Sequence, residues 1–133
     1  MSFEVAVIPC LSDNYAYAIT CSKTGERAIV DPSEALPVAD WLGDKKISAI
    51  WNTHHHPDHC GGNVELAEKY HPKEIVAYAS DKGRIPGQTR SVIEGESFKL
   101  GELNVEILHI PGHTTGACAY VVSSGDETAV FTG

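Results

Sequence analysis

Apolar positions along this chain recur with two different periods, and the residues between the runs are turn formers. Residues 5–8, 15–20 and 28–30 are rich in β-branched and aromatic side chains. Ser12-Asp13-Asn14 and Lys23-Thr24-Gly25-Glu26 separate them, which predicts an antiparallel meander of three strands. After Asp31-Pro32-Ser33 the period changes: Val38, Trp41 and Leu42 share one face at helical spacing, and Gly43 predicts the stop. Residues 48–51 predict a strand that runs into a histidine-rich segment, and Gly61-Gly62-Asn63 introduces a second helix whose apolar positions include Val64, Ala67 and Tyr70.

The rest of the chain reads mainly as strands. Residues 75–78 predict a short one, whereas 82–88 are too rich in glycine and proline for regular structure. Leu103, Val105 and Ile107 alternate with Asn104 and Glu106, the period of a half-buried strand, and lead into Pro111-Gly112-His113-Thr114-Thr115-Gly116. Residues 118–122 and 128–131 predict two more strands around Ser123-Ser124-Gly125-Asp126. Strands interleaved with short helices predict a mixed α/β (α+β) fold, and 133 residues predict one core and one domain, 1–133.

Charge and composition narrow the function classes. Acidic residues outnumber basic ones 18 to 10, for a net charge of -8, and the cations are scattered. Nucleic acid and anionic membrane surfaces both require a concentrated basic patch, so neither is an expected partner. No apolar stretch approaches the roughly 18 to 20 residues of a membrane span. Met1-Ser2-Phe3-Glu4 lacks the features of a secretory signal, so a cytoplasmic location is expected. Cys10, Cys21, Cys60 and Cys118 are widely spaced, which predicts buried thiols and no disulfide.

The chemistry concentrates in Thr53-His54-His55-His56-Pro57-Asp58-His59. His54 and His56, two apart at the end of an extended segment, leave on the same side and can converge on one ion; imidazoles at that spacing suit zinc, iron or manganese. Asp58 and His59 add a carboxylate and another imidazole, enough to seed two adjacent metals. His55 points the other way and is not an expected ligand. His113, flanked by Gly112 and Thr114-Thr115-Gly116, where small residues allow close backbone approach, is a further candidate. His71, at a helix end beside Pro72, and His109, within a strand, are expected to be structural. Cys60 adjoins the cluster, but no separate histidine base pairs with it, which argues against a thiol nucleophile.

His-x-His-x-Asp-His after a strand, followed later by Pro-Gly-His-Thr-x-Gly, resembles the metallo-β-lactamase superfamily. Within it the chain is most similar to glyoxalase II, the hydroxyacylglutathione hydrolases. The stretches that carry the likeness are Ile8-Pro9-Cys10-Leu11-Ser12-Asp13-Asn14-Tyr15, Thr53 through Asn63, Pro111 through Gly116 and Val130-Phe131-Thr132-Gly133. The resemblance implies the N-terminal portion of an αββα sandwich with its metal site at one edge. It implies His54, His56 and His113 on one metal and Asp58 and His59 on a second, with zinc first and iron or manganese as alternatives. It further implies no catalytic side chain, since the nucleophile would be a metal-bound hydroxide. The reaction implied is hydrolysis of an S-lactoylglutathione-like thioester to a 2-hydroxy acid and glutathione, a step of methylglyoxal detoxification.

This sequence departs from the family in two places. Ala117 stands where many members have a histidine that is not a ligand. Gly133 is the last residue, where the family continues with the aspartate that bridges both metals, so the chain is expected to be an incomplete domain, with poor hydrolysis and an exposed apolar face when isolated. The scattered cations leave the substrate-binding residues unassigned. A persulfide dioxygenase, a lactonase or other hydrolase of the same fold, and a non-catalytic metal-binding fragment remain as alternatives.

Overall fold

The structure, a computed structural model, describes residues 3–11, 14–54, 60–81, 83–110 and 117–132. Strands β1 (Phe3–Cys10), β2 (Asn14–Cys21) and β3 (Arg27–Val30) form the expected antiparallel meander. From β3 onward each added strand is parallel: β4 (Ala49–Trp51), then β5 (Glu74–Tyr78), then β6 (Arg90–Val92). Parallel neighbours need a crossover. Helix α1 (Ala35–Leu42) supplies the one between β3 and β4, and helix α2 (Asn63–Tyr70) lies between β4 and β5. A second sheet, ordered β10-β9-β8-β7, is antiparallel throughout and consists of β7 (Ser97–Leu100), β8 (Leu103–His109), β9 (Cys118–Ser124) and β10 (Glu127–Phe131).

The central strands β3 to β5 of the six-stranded sheet are buried on both faces, whereas Val5 and Val7 of β1 are exposed, and adjacent rows of the central side chains go to different cores. Val30, Trp51 and Val76 are register partners facing the second sheet, where they meet Val105, Ile107, Tyr120 and Val122. The next row, Ile29, Ile50 and Ile75, faces the helices and packs with Val38, Leu42 and Leu66. Trp51 anchors the first core, stacked on Tyr120 at 5.1 Å and edge-on to Phe98 at 5.8 Å. The result is a helix, sheet, sheet arrangement, which is the N-terminal portion of the expected sandwich. Among the described residues no helix covers the outer face of the second sheet, where Leu108 and Val130 are exposed. No described helix is long and apolar enough to cross a membrane.

Gly43 terminates α1 with φ of 57°, as expected. The apolar face of α2 requires correction. Its inward stripe is Asn63, Leu66, Ala67 and Tyr70, at spacings of three, four and seven, and Val64 lies off that stripe and is exposed. Strands β6 and β7 were not anticipated. They are only three and four residues long and carry Arg90, Ser91, Ser97 and Lys99, which hide the period. Arg90 joins the two sheets: it pairs with Glu74 of β5 at 3.4 Å and with Glu96 before β7 at 3.2 Å, and its guanidinium lies 4.6 Å from the Phe98 ring centroid.

Candidate metal centre

Loops at the carboxyl ends of parallel strands are the usual place for a ligand in an α/β sheet. Here Asp31 follows β3, and Asn52, Thr53 and His54 follow β4. All four are buried, although three are polar and one is charged. Buried polar groups must find partners; Asp31, Thr53 and His54 form one connected set, and Asn52 is met by residues of other elements. The backbone N–H of Asp31 donates to the Trp51 carbonyl at 2.9 Å, with Asp31 held at φ of 51°, a left-handed conformation that aspartate tolerates better than most residues. Asp31 Oδ1 accepts from the Thr53 N–H at 2.8 Å and Oδ2 accepts from the Thr53 hydroxyl at 2.6 Å. Thr53 Oγ1 in turn lies 3.0 Å from His54 Nδ1.

A second layer supports this one from below. Asn63 at the start of α2 donates from Nδ2 to Asn52 Oδ1 at 2.6 Å and to the Pro86 carbonyl at 3.1 Å. The buried Tyr120 hydroxyl donates to the carbonyls of Asn52 at 2.8 Å and Val76 at 3.2 Å. Burial, first of all, pushes the Tyr120 phenol well above its ordinary value, with the nearby Cys118 and Asp31 adding to the effect, so it stays a donor.

Of the predicted ligands, His54 is described; His56, Asp58, His59 and His113 lie outside the described residues, as does His55. No group of three or more metal-type side chains comes together among the described residues. What the structure does place are the ends of both ligand-bearing segments. Segment 55–59 leaves from His54, whose neighbour Thr53 is tied to Asp31, and returns at Cys60, after which the Gly62 N–H donates to the Pro32 carbonyl at 2.7 Å. A Cβ on Gly62 would sit 2.8 Å from the backbone of Ala35 and 2.9 Å from Pro32 O, so the return passes against backbone that only glycine can approach. Segment 111–116, which carries His113, is closed at its base by the Ile110 N–H donating to the Ala117 carbonyl at 3.0 Å. The next residue, Cys118, donates its N–H to the Thr53 carbonyl at 2.8 Å. The two segments therefore spring from neighbouring points on the same edge.

The donor set suits a divalent first-row metal, because imidazoles and a carboxylate are the ligands zinc, iron and manganese share. His54 fits that use: it is 7% exposed and held by a hydrogen-bonded neighbour, unlike the histidine of a solvated loop. Cys60 is buried in the core beneath α1 and α2, and none of the four cysteines is in a disulfide. His71 caps the C-terminus of α2, whereas His109 ends β8 with its ring stacked on Tyr78 at 4.2 Å. Sequence reasoning passed over Asp31, Asn52 and Asn63. The one local signal was a charged residue placed directly after the fully buried end of β3.

Comparison with known proteins adds to this geometry. Residues 12–133 match the model of the Metallo-beta-lactamase superfamily. The chain is 44% identical over 133 residues to the hydroxyacylglutathione hydrolase of Pelagibacter ubique, covering 98% of this chain and 54% of that protein. It is 42% identical over 134 residues to the enzyme of the same name from Ruegeria pomeroyi, covering 99% and 51%. The chain thus spans about half the length of these relatives. Among solved structures, a metallo-beta-lactamase from Staphylococcus aureus superposes with a TM-score of 0.80 at 22% identity, over 99% of this chain and 42% of that one, a likeness of fold.

Proposed function

Because the chain belongs to the metallo-beta-lactamase superfamily, we propose that the protein it represents is a metal-dependent hydrolase that cleaves a glutathione thioester, such as S-lactoylglutathione, to a 2-hydroxy acid and glutathione. The observation that carries the substrate class is the 44% identity, across nearly the whole of this chain, to a protein named for that activity. The buried His54 and the converging ends of segments 55–59 and 111–116 support the catalytic half of the reading.

In this reading His54, His56 and His113 hold one metal and Asp58 and His59 contribute to a second, with zinc as the first candidate. Bound divalent metals would supply Lewis acidity toward the thioester carbonyl and bring the pKa of a water nucleophile near 7. The chain's own part is to hold the ligands at the edge of a rigid sheet and keep the floor of the site dry. Tyr120, Trp51 and Asn52 contribute to that floor, where the Tyr120 hydroxyl donates to the Asn52 carbonyl and Asn52 Oδ1 accepts from Asn63 Nδ2. Removal of methylglyoxal-derived thioesters in the cytoplasm is the corresponding cellular role, a compartment in which four buried thiols stay reduced.

The test is made on the whole protein as encoded. Metal content is measured first. Hydrolysis of S-lactoylglutathione is then followed before chelation, after chelation, and after addition of zinc, iron or manganese. Turnover lost on chelation and restored by metal, and lost in His54→Ala, is the expected result. Turnover indifferent to chelation, or a metal-loaded protein that ignores glutathione thioesters while opening a lactone, would overturn it.

A further inference from the structure

We propose that a cavity on the helix-facing side of the first sheet, lined by Arg27, Trp41 and Lys45, is a binding site for a small organic carboxylate with an apolar body. It lies at the end of β3 opposite to Asp31, and it does not depend on the metal-site reading.

The register of the meander builds the cavity. Glu4 of β1, Thr20 of β2 and Arg27 of β3 are partners in one row, and Ala6 and Ala18 are partners in the next row on the same face. Ala18 belongs to the core beneath the helices, which fixes that face as the helical side. Helix α1 carries Trp41 in its last turn and ends at Leu42, so Trp41 and the following Lys45 line one side of the space above these rows. That space is about 420 Å³, within the range of small-molecule sites. The two alanines give it a floor of methyl groups, and Trp41 gives it an apolar wall.

One of its cations is fixed in place. Arg27 donates from Nε to Thr20 Oγ1 at 2.9 Å and from Nη1 to the Lys46 carbonyl at 2.9 Å, which sets the plane of the guanidinium. Nη2 donates to no described residue, and Arg27 forms no ion pair among the described residues. Its guanidinium carbon lies 5.7 Å from the Trp41 ring centroid, and Lys45 Nζ lies 5.5 Å from a ring centroid of the same residue. Two cations gathered on one indole repel each other, and an anion that reaches both relieves the repulsion. Burial lowers the Arg27 pKa from its ordinary value, as happens when a guanidinium gives up water without gaining a full partner; Glu4 opposes the shift through space. The group keeps its charge nonetheless, and its fork matches the two oxygens of a carboxylate.

The charges select among anions. Arg27 and Lys45 set against Glu4 leave a single positive charge on the walls, which a monoanionic carboxylate balances and a phosphate dianion exceeds. Ala6, Ala18 and Trp41 favour a ligand whose remainder sheds water on binding.

The experiment uses the whole protein and follows the Trp41 indole N–H in ¹H–¹⁵N spectra, identified by its loss in Trp41→Phe, so that anions bound elsewhere are not counted. The probes are benzoate, acetate, benzyl alcohol and inorganic phosphate. Benzoate should shift the signal saturably and bind about 10-fold more tightly than acetate, which lacks the ring. Benzyl alcohol, which lacks the charge, and phosphate, which lacks the apolar body, should both bind more weakly than benzoate. Lys45→Gln should weaken benzoate binding about 2- to 5-fold, as suits an exposed cation. Arg27→Lys keeps the charge but loses the fork, and should weaken it about 10-fold. Glu4→Gln removes the opposing carboxylate and should strengthen it. Near-ultraviolet circular dichroism confirms that the variants are folded. Benzyl alcohol or phosphate binding as tightly as benzoate, a benzoate affinity unchanged in both folded Arg27→Lys and Lys45→Gln, or no saturable shift at all would overturn the proposal.

Discussion

Trp51 and Thr53 are two residues apart on one strand end, yet they belong to two kinds of interior. Around Trp51 the space between the sheets is filled by Val30, Val76, Val105, Ile107 and the ring of Tyr120, in contacts that depend on volume and hardly on direction. Around Thr53 the space is equally closed to water but is organised by Asp31, Asn52, Asn63 and His54, in hydrogen bonds that depend on direction at every step. The first region can exchange one apolar side chain for another of similar size at modest cost. The second tolerates no such exchange, because removing one partner strands the other. The apolar region carries stability, and the polar seam beside it carries geometry.

The contrast is open to direct attack. Trp51→Ala empties the centre of the apolar region and should show the largest loss, about 3–5 kcal/mol by denaturant unfolding; a loss below about 1 kcal/mol would mean the sheets do not pack through that ring. Asp31→Ala attacks the seam. It leaves the N–H and hydroxyl of Thr53 without their carboxylate, and should cost about 2–3 kcal/mol, as expected when buried donors lose their acceptor. Unlike Trp51→Ala, it should also weaken zinc binding out of proportion to its effect on stability.

Tyr120 belongs to both regions, with its ring stacked on Trp51 and its hydroxyl bonded beneath the seam. Tyr120→Phe should therefore cost only about 1 kcal/mol, the hydrogen-bonding part. Its pH dependence sharpens the distinction. Burial raises the phenol's pKa in the folded state well above 10.0, so the unfolded chain loses that proton first. The stability that Tyr120 contributes is present below the unfolded value and is lost as pH rises beyond it. Unfolding free energies measured between pH 8 and 11 should fall more steeply at the alkaline end in wild type than in Tyr120→Phe. A native-state phenolate absorbance from Tyr120 at pH 10 would contradict this. The smallest effect is expected at Arg90→Met. The pairs with Glu74 and Glu96 are about one-third exposed, so they should contribute less than about 1 kcal/mol, and less still at high salt.

The two regions were unequally legible in the sequence. Apolar packing leaves a local trace: Leu103, Val105 and Ile107 alternate, and the meander residues declare themselves by type. Where a strand is short and carries surface charge, as in β6 with Arg90 and Ser91, the trace disappears. In α2 the visible Val64 misled, because the inward stripe begins with a polar residue, Asn63. The histidine segment was conspicuous because its side chains have few other uses at that density. Its supports were not. Asp31 beside Pro32 reads as an ordinary turn, and nothing within the turn reveals that its carboxylate holds a threonine 22 residues away. A contact between distant loops has no period to detect.

The backbone bonds that clamp the ends of segments 55–59 and 111–116 have a consequence for how such a protein can change. The closures are made by Gly62 with Pro32, Ile110 with Ala117 and Cys118 with Thr53, each between a main-chain N–H, which every residue except proline supplies, and a main-chain carbonyl, which every residue supplies. The frame at the described ends of these segments is thus held by the backbone and not by the identity of the side chains there. A scaffold wired in this way can keep its frame while its chemistry is rewritten a few residues at a time, and this is one physical route by which a single fold comes to serve many reactions.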